Sequence, residues 1–396
     1  MRVLHVTGDW KWTGPAEPML GLLLAQRARG HQVGLACPDP PQADASGVAQ
    51  RAREAGVEPE LSLEPRRGAR PWRDRGDASR LRALLAVRPC DVLHVWHTRD
   101  HVLAWRAAGR GRRGHGPRIV RSVSEAEPIS PTPWNRWLFG RAADALLCVS
   151  AASARANQRL ASGPVAAALG AVDLARFAPG AADPGVRARL GLRPGDAVVG
   201  VVARIQRHRR FDLLLEAFRR LAESRPDARL LVVGRGTHQD EVARQPARRL
   251  GIEDRVVFAG WRGPDYADVL RAIDVLTFLV PGSDGTCRAV LEAQACGLPV
   301  VASRRGALPE ILADGETGTL VDEAAPALCR AWEGLLADPG QRVRMGQAAR
   351  RRAERLFRPE RLCDDVDALY RAAGALPSPQ AAGAAPSRPW SSISSR

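Results

Sequence analysis

With 396 residues, 45% hydrophobic and 26% charged, the chain is long enough for two to three globular domains that each bury a core. Its net charge of +16 is almost all arginine, with Lys11 the only lysine, and neither zinc-finger spacing, an RNP-like aromatic pattern nor a recognition helix accompanies it, so nucleic acid is not an expected partner. Seven scattered cysteines without a C-x-x-C pair exclude a disulfide framework and a zinc site, and no apolar run approaches the roughly 20 residues that span a bilayer.

The opening MRVLHVTGDW starts as a strand and lacks the apolar region of a signal peptide, so a cytoplasmic protein is expected. Val3–Thr7 is a first strand. A loop with Gly8 and Gly14 leads to a helix from Pro18 to Gly30, and His31–Ala36 returns as a strand. This βαβ unit puts the Gly14 loop at the C-terminal edge of a parallel sheet, where ligands bind, but the G-x-G-x-x-G fingerprint of redox dinucleotide enzymes is absent. Residues 62–77 are basic, broken by Pro and Gly, and carry Trp72. They read either as a solvated loop or as a contact with an anionic membrane surface. A helix through Leu81–Val87 precedes the strand Asp91–Trp96, which is followed by His97 and His101; Arg118–Val123 and Ala145–Ser150 continue the strands.

After a Gly/Pro-rich connection at Gly180–Gly195 the pattern restarts. Ala197–Ala203 is a buried strand, Phe211–Ala222 an amphipathic helix, Arg229–Val233 a strand ending in Gly234-Arg-Gly236, and Arg255–Ala259 another strand. A helix at Tyr266–Ala272 leads to the stretch around which the chain is organised. Asp274–Val280 reads as a strand, Pro281–Cys287 as a Gly-containing loop capped by Ser283 and Asp284, the following residues as a short helix, and Leu298–Ala302 as a strand. Backbone N–H groups at such a loop-to-helix junction suit phosphate, and Glu292 shares a helix face with Arg288 at i,i+4 spacing. Two successive αβ series imply two Rossmann-like domains facing a cleft. Beyond Gly340 come basic helices and then a Pro/Ala/Ser-rich tail from Leu376, expected to be disordered.

On these residues the chain resembles the family-4 retaining glycosyltransferases, which have the GT-B architecture. The resemblance covers most of Met1 to about Tyr370. The family's E-x7-E element is similar to Asp284 to Glu292, leading into Leu291-Glu-Ala-Gln-Ala-Cys-Gly-Leu-Pro-Val300. Its phosphate-binding G-R-L-x4-K-G-x-D resembles Ala203 to Asp212, with Arg204 in the Arg place, Arg209 in the Lys place and Arg210 where a glycine stands. The N-G-V-D-x3-F-x-P pattern resembles Gly170 to Pro179, the G-x-P-E pattern Gly306 to Glu310, and the G-G-x-E of the acceptor loop Gly14 to Glu17. Asp284 is shorter than the family's glutamate. The family's active-site histidine, expected just after Val123, is replaced by Ser124 and Glu125, while His94 matches a D-V-V-H segment and His97 lies near a common second histidine.

The resemblance implies an acceptor domain over 1–180, a nucleotide-sugar domain over 181–355, a helix over 356–375 that returns toward the first domain, and the tail 376–396. It implies a glycosyltransferase using a nucleoside-diphosphate sugar, a saccharide or lipid-linked acceptor, and neither cofactor nor metal. Arg204, Arg209, Asp284 and Glu292 would be catalytic. Gly234, Arg262, Gly285, Thr286, Cys287 and Arg288 would line the donor, and Gly14, Glu17, His94 and His97 the acceptor. Asp365-x-Asp367 looks like a metal-binding D-x-D but is read as a solvated helix face. Other readings from the same residues are a GT-B scaffold that binds nucleotide sugar without turnover, and a GT-B sugar-nucleotide epimerase.

Overall fold

The computed structural model describes residues 1–375 except Thr13, 40–46, Arg67, Pro71, 110–115, Ala126 and 283–284. Asp284 and the tail from Leu376 therefore lie outside the described residues. The chain forms two compact units, one of Met1–Ala168 with Ser283–Gly285 and the residues from Pro359 on, the other of Leu169–Gly282 with Thr286–Arg358.

The first unit is built on strands β1 (Arg2–Val6), β2 (Gln32–Cys37), β3 (Leu61–Ser62), β4 (Val92–Val95), β5 (Arg118–Val123), β6 (Ala145–Cys148) and β7 (Val165–Ala167). They form a parallel sheet in the order β3-β2-β1-β4-β5-β6-β7. The second unit has β8 (Ala197–Val202), β9 (Ala228–Val233), β10 (Val256–Gly260), β11 (Val275–Phe278), β12 (Val300–Ser303) and β13 (Gly318–Val321) in the parallel order β10-β9-β8-β11-β12-β13. Alternation along these strands feeds two cores. Val198, Leu276, Val300 and Ala302 pack into one, and Val199, Val201, Val275 and Val301 into the other. Both faces being covered explains why strands such as β8 and β12 read as near-continuous apolar runs.

The change of unit comes at Ala168, earlier than the boundary at 180 drawn from the sequence. Val172 and Phe177 are buried in the second unit's core, and the Val172 amide donates to the Phe357 carbonyl at 2.9 Å, so the chain enters this unit where it leaves it. The helix Pro359–Ala372 packs within the first unit, where a buried polar chain ties it to the sheet. One direction of donation satisfies that chain throughout. Trp96 donates to His5 Nδ1 (3.3 Å), His5 Nε2 to Gln26 (2.8 Å), Gln26 to the Tyr370 oxygen (3.1 Å), Tyr370 to His94 Nδ1 (2.6 Å) and His94 Nε2 to Ser122 (2.7 Å).

Two expectations about surface charge are corrected. Asp367 is buried and meets His31 Nε2 at 2.8 Å, so only Asp365, paired with Arg361, keeps the reading of a solvated face. Residues 62–77 are not a free loop. Arg99, fully buried, donates to Asp74 at 2.8 Å, to Asp77 and to the Glu64 carbonyl, and Arg66 meets Asp74 at 2.7 Å. An arginine keeps its proton, so the buried Arg99 is stabilised by the carboxylates it meets, and here they anchor the segment. In the helix Pro339–Leu356 several arginines have structural tasks: Arg350 donates to the Leu174, Phe177 and Ala295 carbonyls, and Arg352 to those of Glu310 and Ile311.

Candidate active site

In the second unit β8 pairs with β11, so the segments following these strands emerge side by side at the C-terminal edge of the sheet. Arg204 is exposed and makes no ion pair or side-chain hydrogen bond among the described residues. Arg209 is half-buried. Its guanidinium donates to the Val280 carbonyl and lies against Gly282, where an added Cβ would come within 2.2 Å of Nη2. The arginine and the glycine of the next loop thus fit together. Arg207 points outward to Glu241.

Arg210, standing where the resemblance has a glycine, adopts the left-handed conformation with φ 58°. A side chain is strained there, by about 1 kcal/mol relative to glycine. Its guanidinium meets Glu323 at 2.6 Å and Asp212 at 3.5 Å.

The loop after β11 turns into the helix Arg288–Ala295 through Cys287, which is buried, left-handed (φ 53°) and the N-cap. The expected caps Ser283 and Asp284 lie outside the described residues, and the helix begins after this later turn. Gly285 is buried and Thr286 half-buried. Glu292 is only 4% exposed. Its Oε2 accepts from the Tyr266 hydroxyl at 2.8 Å, and its Oε1 lies 3.4 Å from Arg288 Nε, the i,i+4 partner expected from spacing. Withdrawal from water and the Glu292 charge push the Tyr266 phenol well above its ordinary pKa, so it stays a donor.

Gly234 has φ 137°, and a Cβ there would sit 2.1 Å from the Ala203 carbonyl oxygen. That close approach holds the end of β9 against the segment carrying Arg204. Arg262, half-buried, lies 3.5 Å from Asp265 at the start of the helix Tyr266–Arg271.

In the first unit Gly14 turns with φ 56° into the helix Ala16–Ala28, whose first turn carries the half-buried Glu17. His94 must be withdrawn as an acceptor contact. It is fully buried, both ring nitrogens are engaged, and burial, with His5 and Arg121 nearby, keeps its pKa well below the ordinary value. His97 is different. Its Nε2 lies 3.2 Å from Asp9 after β1, and its Nδ1 lies 3.1 Å from Asp100. Burial alone would lower its pKa, but the bonds to Asp100 and Asp9 outweigh that and raise it to about 9, so the ring is a cation at neutral pH. Sequence reasoning missed Asp9, Asp100 and Tyr266. Asp100 had a signal, since it lies three residues after His97 and closes a capping box.

Among the described residues one group could hold a metal, His31, Cys363 and Asp367, with donor atoms within 4.8 Å of one another. Burial pushes the Cys363 thiol up to about 12, which keeps it protonated and a poor ligand.

A family model described as Glycosyl transferases group 1 matches residues 184–352, and one described as Glycosyltransferase Family 4 matches residues 19–176. The GDP-mannose-dependent alpha-(1-6)-phosphatidylinositol monomannoside mannosyltransferase of Mycolicibacterium smegmatis is 36% identical over 296 residues, 69% of this chain and 74% of that protein. The D-inositol 3-phosphate glycosyltransferases of Segniliparus rotundus and Streptomyces avermitilis are 40% and 35% identical over 51% and 67% of this chain. The chain spans 45% and 61% of their lengths. Among solved structures, a glycosyltransferase from Rickettsia africae superposes with TM-score 0.80 at 14% identity, covering 94% of this chain and 98% of that one. Anabaena HepE, in complex with UDP and glucose, does so with TM-score 0.76 at 18% identity, covering 93% and 98%. These likenesses show the fold, which is GT-B.

Proposed function

Because the chain belongs to the family-4 glycosyltransferases, we propose that it moves a sugar, with retention and without a metal, from a nucleoside-diphosphate sugar to a hydroxyl of a saccharide, lipid-linked or small-molecule acceptor. The observation that carries this reading is the edge of the second sheet, where two cations after β8 and a fixed carboxylate after β11 come from paired strands. In the transfer the bond from the sugar C1 to the diphosphate oxygen breaks and an acceptor oxygen bonds to C1. The diphosphate leaves with the electron pair and takes up the acceptor's proton. Arg204 and Arg209 would neutralise the charge that builds on it, as a metal would elsewhere. The amides of Thr286 to Arg288 and the helix start add partial positive charge. Glu292 would hold the ribose, with Gly234, Arg262, Gly285 and Cys287 shaping the donor pocket. Asp284 is proposed for the transferred sugar on its motif alone. Acceptor contacts would come from the Gly14 turn, Glu17 and His97.

The named activities of the relatives support a polyol-phosphate or lipid-linked acceptor, and hence a role in glycolipid or cell-surface polysaccharide synthesis at the inner membrane face. Trp72, 77% exposed with Arg75 stacked on it at 4.6 Å and Arg70 and Arg73 exposed nearby, supports a contact with an anionic surface. Tighter binding to anionic than to neutral vesicles, weakening with salt, is expected; equal binding would leave the arginine excess compositional. One observation favours the rival reading of a scaffold without turnover, Ser124 and Glu125 standing where the family has its histidine. Incubation with a panel of UDP- and GDP-sugars separates the readings. Acceptor-dependent nucleotide release supports transfer, binding without release the scaffold, and a changed nucleotide sugar an epimerase.

A further inference from the structure

We infer that Tyr266 is a positioning residue for the donor nucleotide, holding the Glu292 carboxylate in the orientation that receives the two ribose hydroxyls. The inference rests on the assignment of Glu292 to the ribose. The last torsion of a glutamate side chain is broad and nearly free, so a helix-borne carboxylate does not by itself present its oxygens in one plane. Here two contacts remove that freedom: the Tyr266 hydroxyl donates to Oε2 at 2.8 Å, and Arg288 Nε approaches Oε1 at 3.4 Å.

Each carboxylate oxygen can accept two hydrogen bonds, and the two oxygens of one carboxylate match the two hydroxyls of a vicinal diol. Tyr266 is itself fixed. It begins the helix Tyr266–Arg271, and its ring meets Phe177 edge to face with centroids 5.8 Å apart. The phenol is also neutral, so it orients the carboxylate without forming an ion pair that a sugar hydroxyl would have to compete with. Arg288, at 3.4 Å and a third exposed, is the weaker constraint.

The test is calorimetric binding of UDP, GDP and their 2′,3′-dideoxy analogues to the full chain and to the Tyr266→Phe and Glu292→Gln variants. Tyr266→Phe keeps the ring and its packing on Phe177 and removes only the donor. It is expected to weaken the preferred ribonucleotide about tenfold, the size of a lost hydrogen bond to a charged group, and to leave the dideoxy analogue unchanged. In turnover the same variant should raise KM for the nucleotide sugar with kcat within about twofold. Equal weakening of both nucleotides, or no weakening of either, would show that the ring only fills space and would overturn the inference. Failure of the underlying assignment looks different. Glu292→Gln would then leave the preference for ribose over dideoxyribose intact, or neither nucleotide would bind the unmodified chain.

Discussion

The two units make different use of the charged and titratable residues on and just after their central strands. After β8 Arg204 is exposed, and Arg209 is half-buried with its guanidinium on the Val280 carbonyl. In the first unit the histidines are sealed: His5 within β1 and His94 within β4 join the buried polar chain, and His97, after β4, lies between two carboxylates. The difference follows from basicity. A histidine gives up its proton cheaply, so His5 and His94 can be buried neutral, whereas an arginine keeps its charge. Arg204, exposed and without an ion pair among the described residues, is available to an anionic ligand. Arg99, buried against Asp74 and Asp77, is the alternative fate.

The sharpest way to break this comparison is to remove Arg209 and, separately, the outward Arg207. Arg209→Ala should lower turnover by about two to three orders of magnitude, the effect of deleting a transition-state donor, and a chelator should change nothing. Arg207→Ala, which loses only a surface pair with Glu241, should stay within about twofold. Equal effects of the two substitutions, or loss of activity in chelator, would show that the β8 edge is not a phosphate clamp.

On the sealed side, His94→Ala should cost about 3 kcal/mol of stability, because it strands the Ser122 and Tyr370 hydroxyls and leaves a cavity. Denaturant titration measures it. The acceptor KM should not move, and a raised KM in a variant of normal stability would return His94 to the acceptor site.

The histidines also set the pH dependence. The His97 pKa is raised from 6.5 to about 9, so its stabilisation is complete below pH 6.5 and disappears as pH climbs through 9. The His5 pKa is lowered from 6.5 to about 4, so its contribution is present above 6.5 and disappears as pH drops through 4. Unfolding midpoints across this range should therefore fall on both sides, and His97→Gln should flatten only the alkaline fall. An unchanged alkaline limb in that variant would mean the Asp9–His97–Asp100 cluster is not charged as described.

The smallest expected effect is at Arg210. Arg210→Gly relieves the left-handed strain and loses a half-exposed pair with Glu323, and should remain within about 0.5 kcal/mol of the parent. Arg210→Ala keeps the strain, loses the pair, and should cost about 1 kcal/mol in the same titration.

Much of this molecule was legible in one dimension. Strands buried on both faces are largely apolar, so AVVGVV at β8 announced itself, as did the βαβ order and the Glu292–Arg288 spacing. The edge strands β3, β7 and β13 did not. They are two to four residues long, and what makes them strands is a neighbour supplied by a distant part of the chain. The same limit hid the fates of the polar residues. Whether His94 faces a ligand or the core depends on Tyr370 and Ser122, and Tyr266 meets Glu292 only because the helix it begins packs near another. Local pattern determined which residues form elements, since backbone geometry repeats every few residues. Only the tertiary structure decided which polar atoms meet, because a hydrogen bond spans about 3 Å in space whatever the separation along the chain.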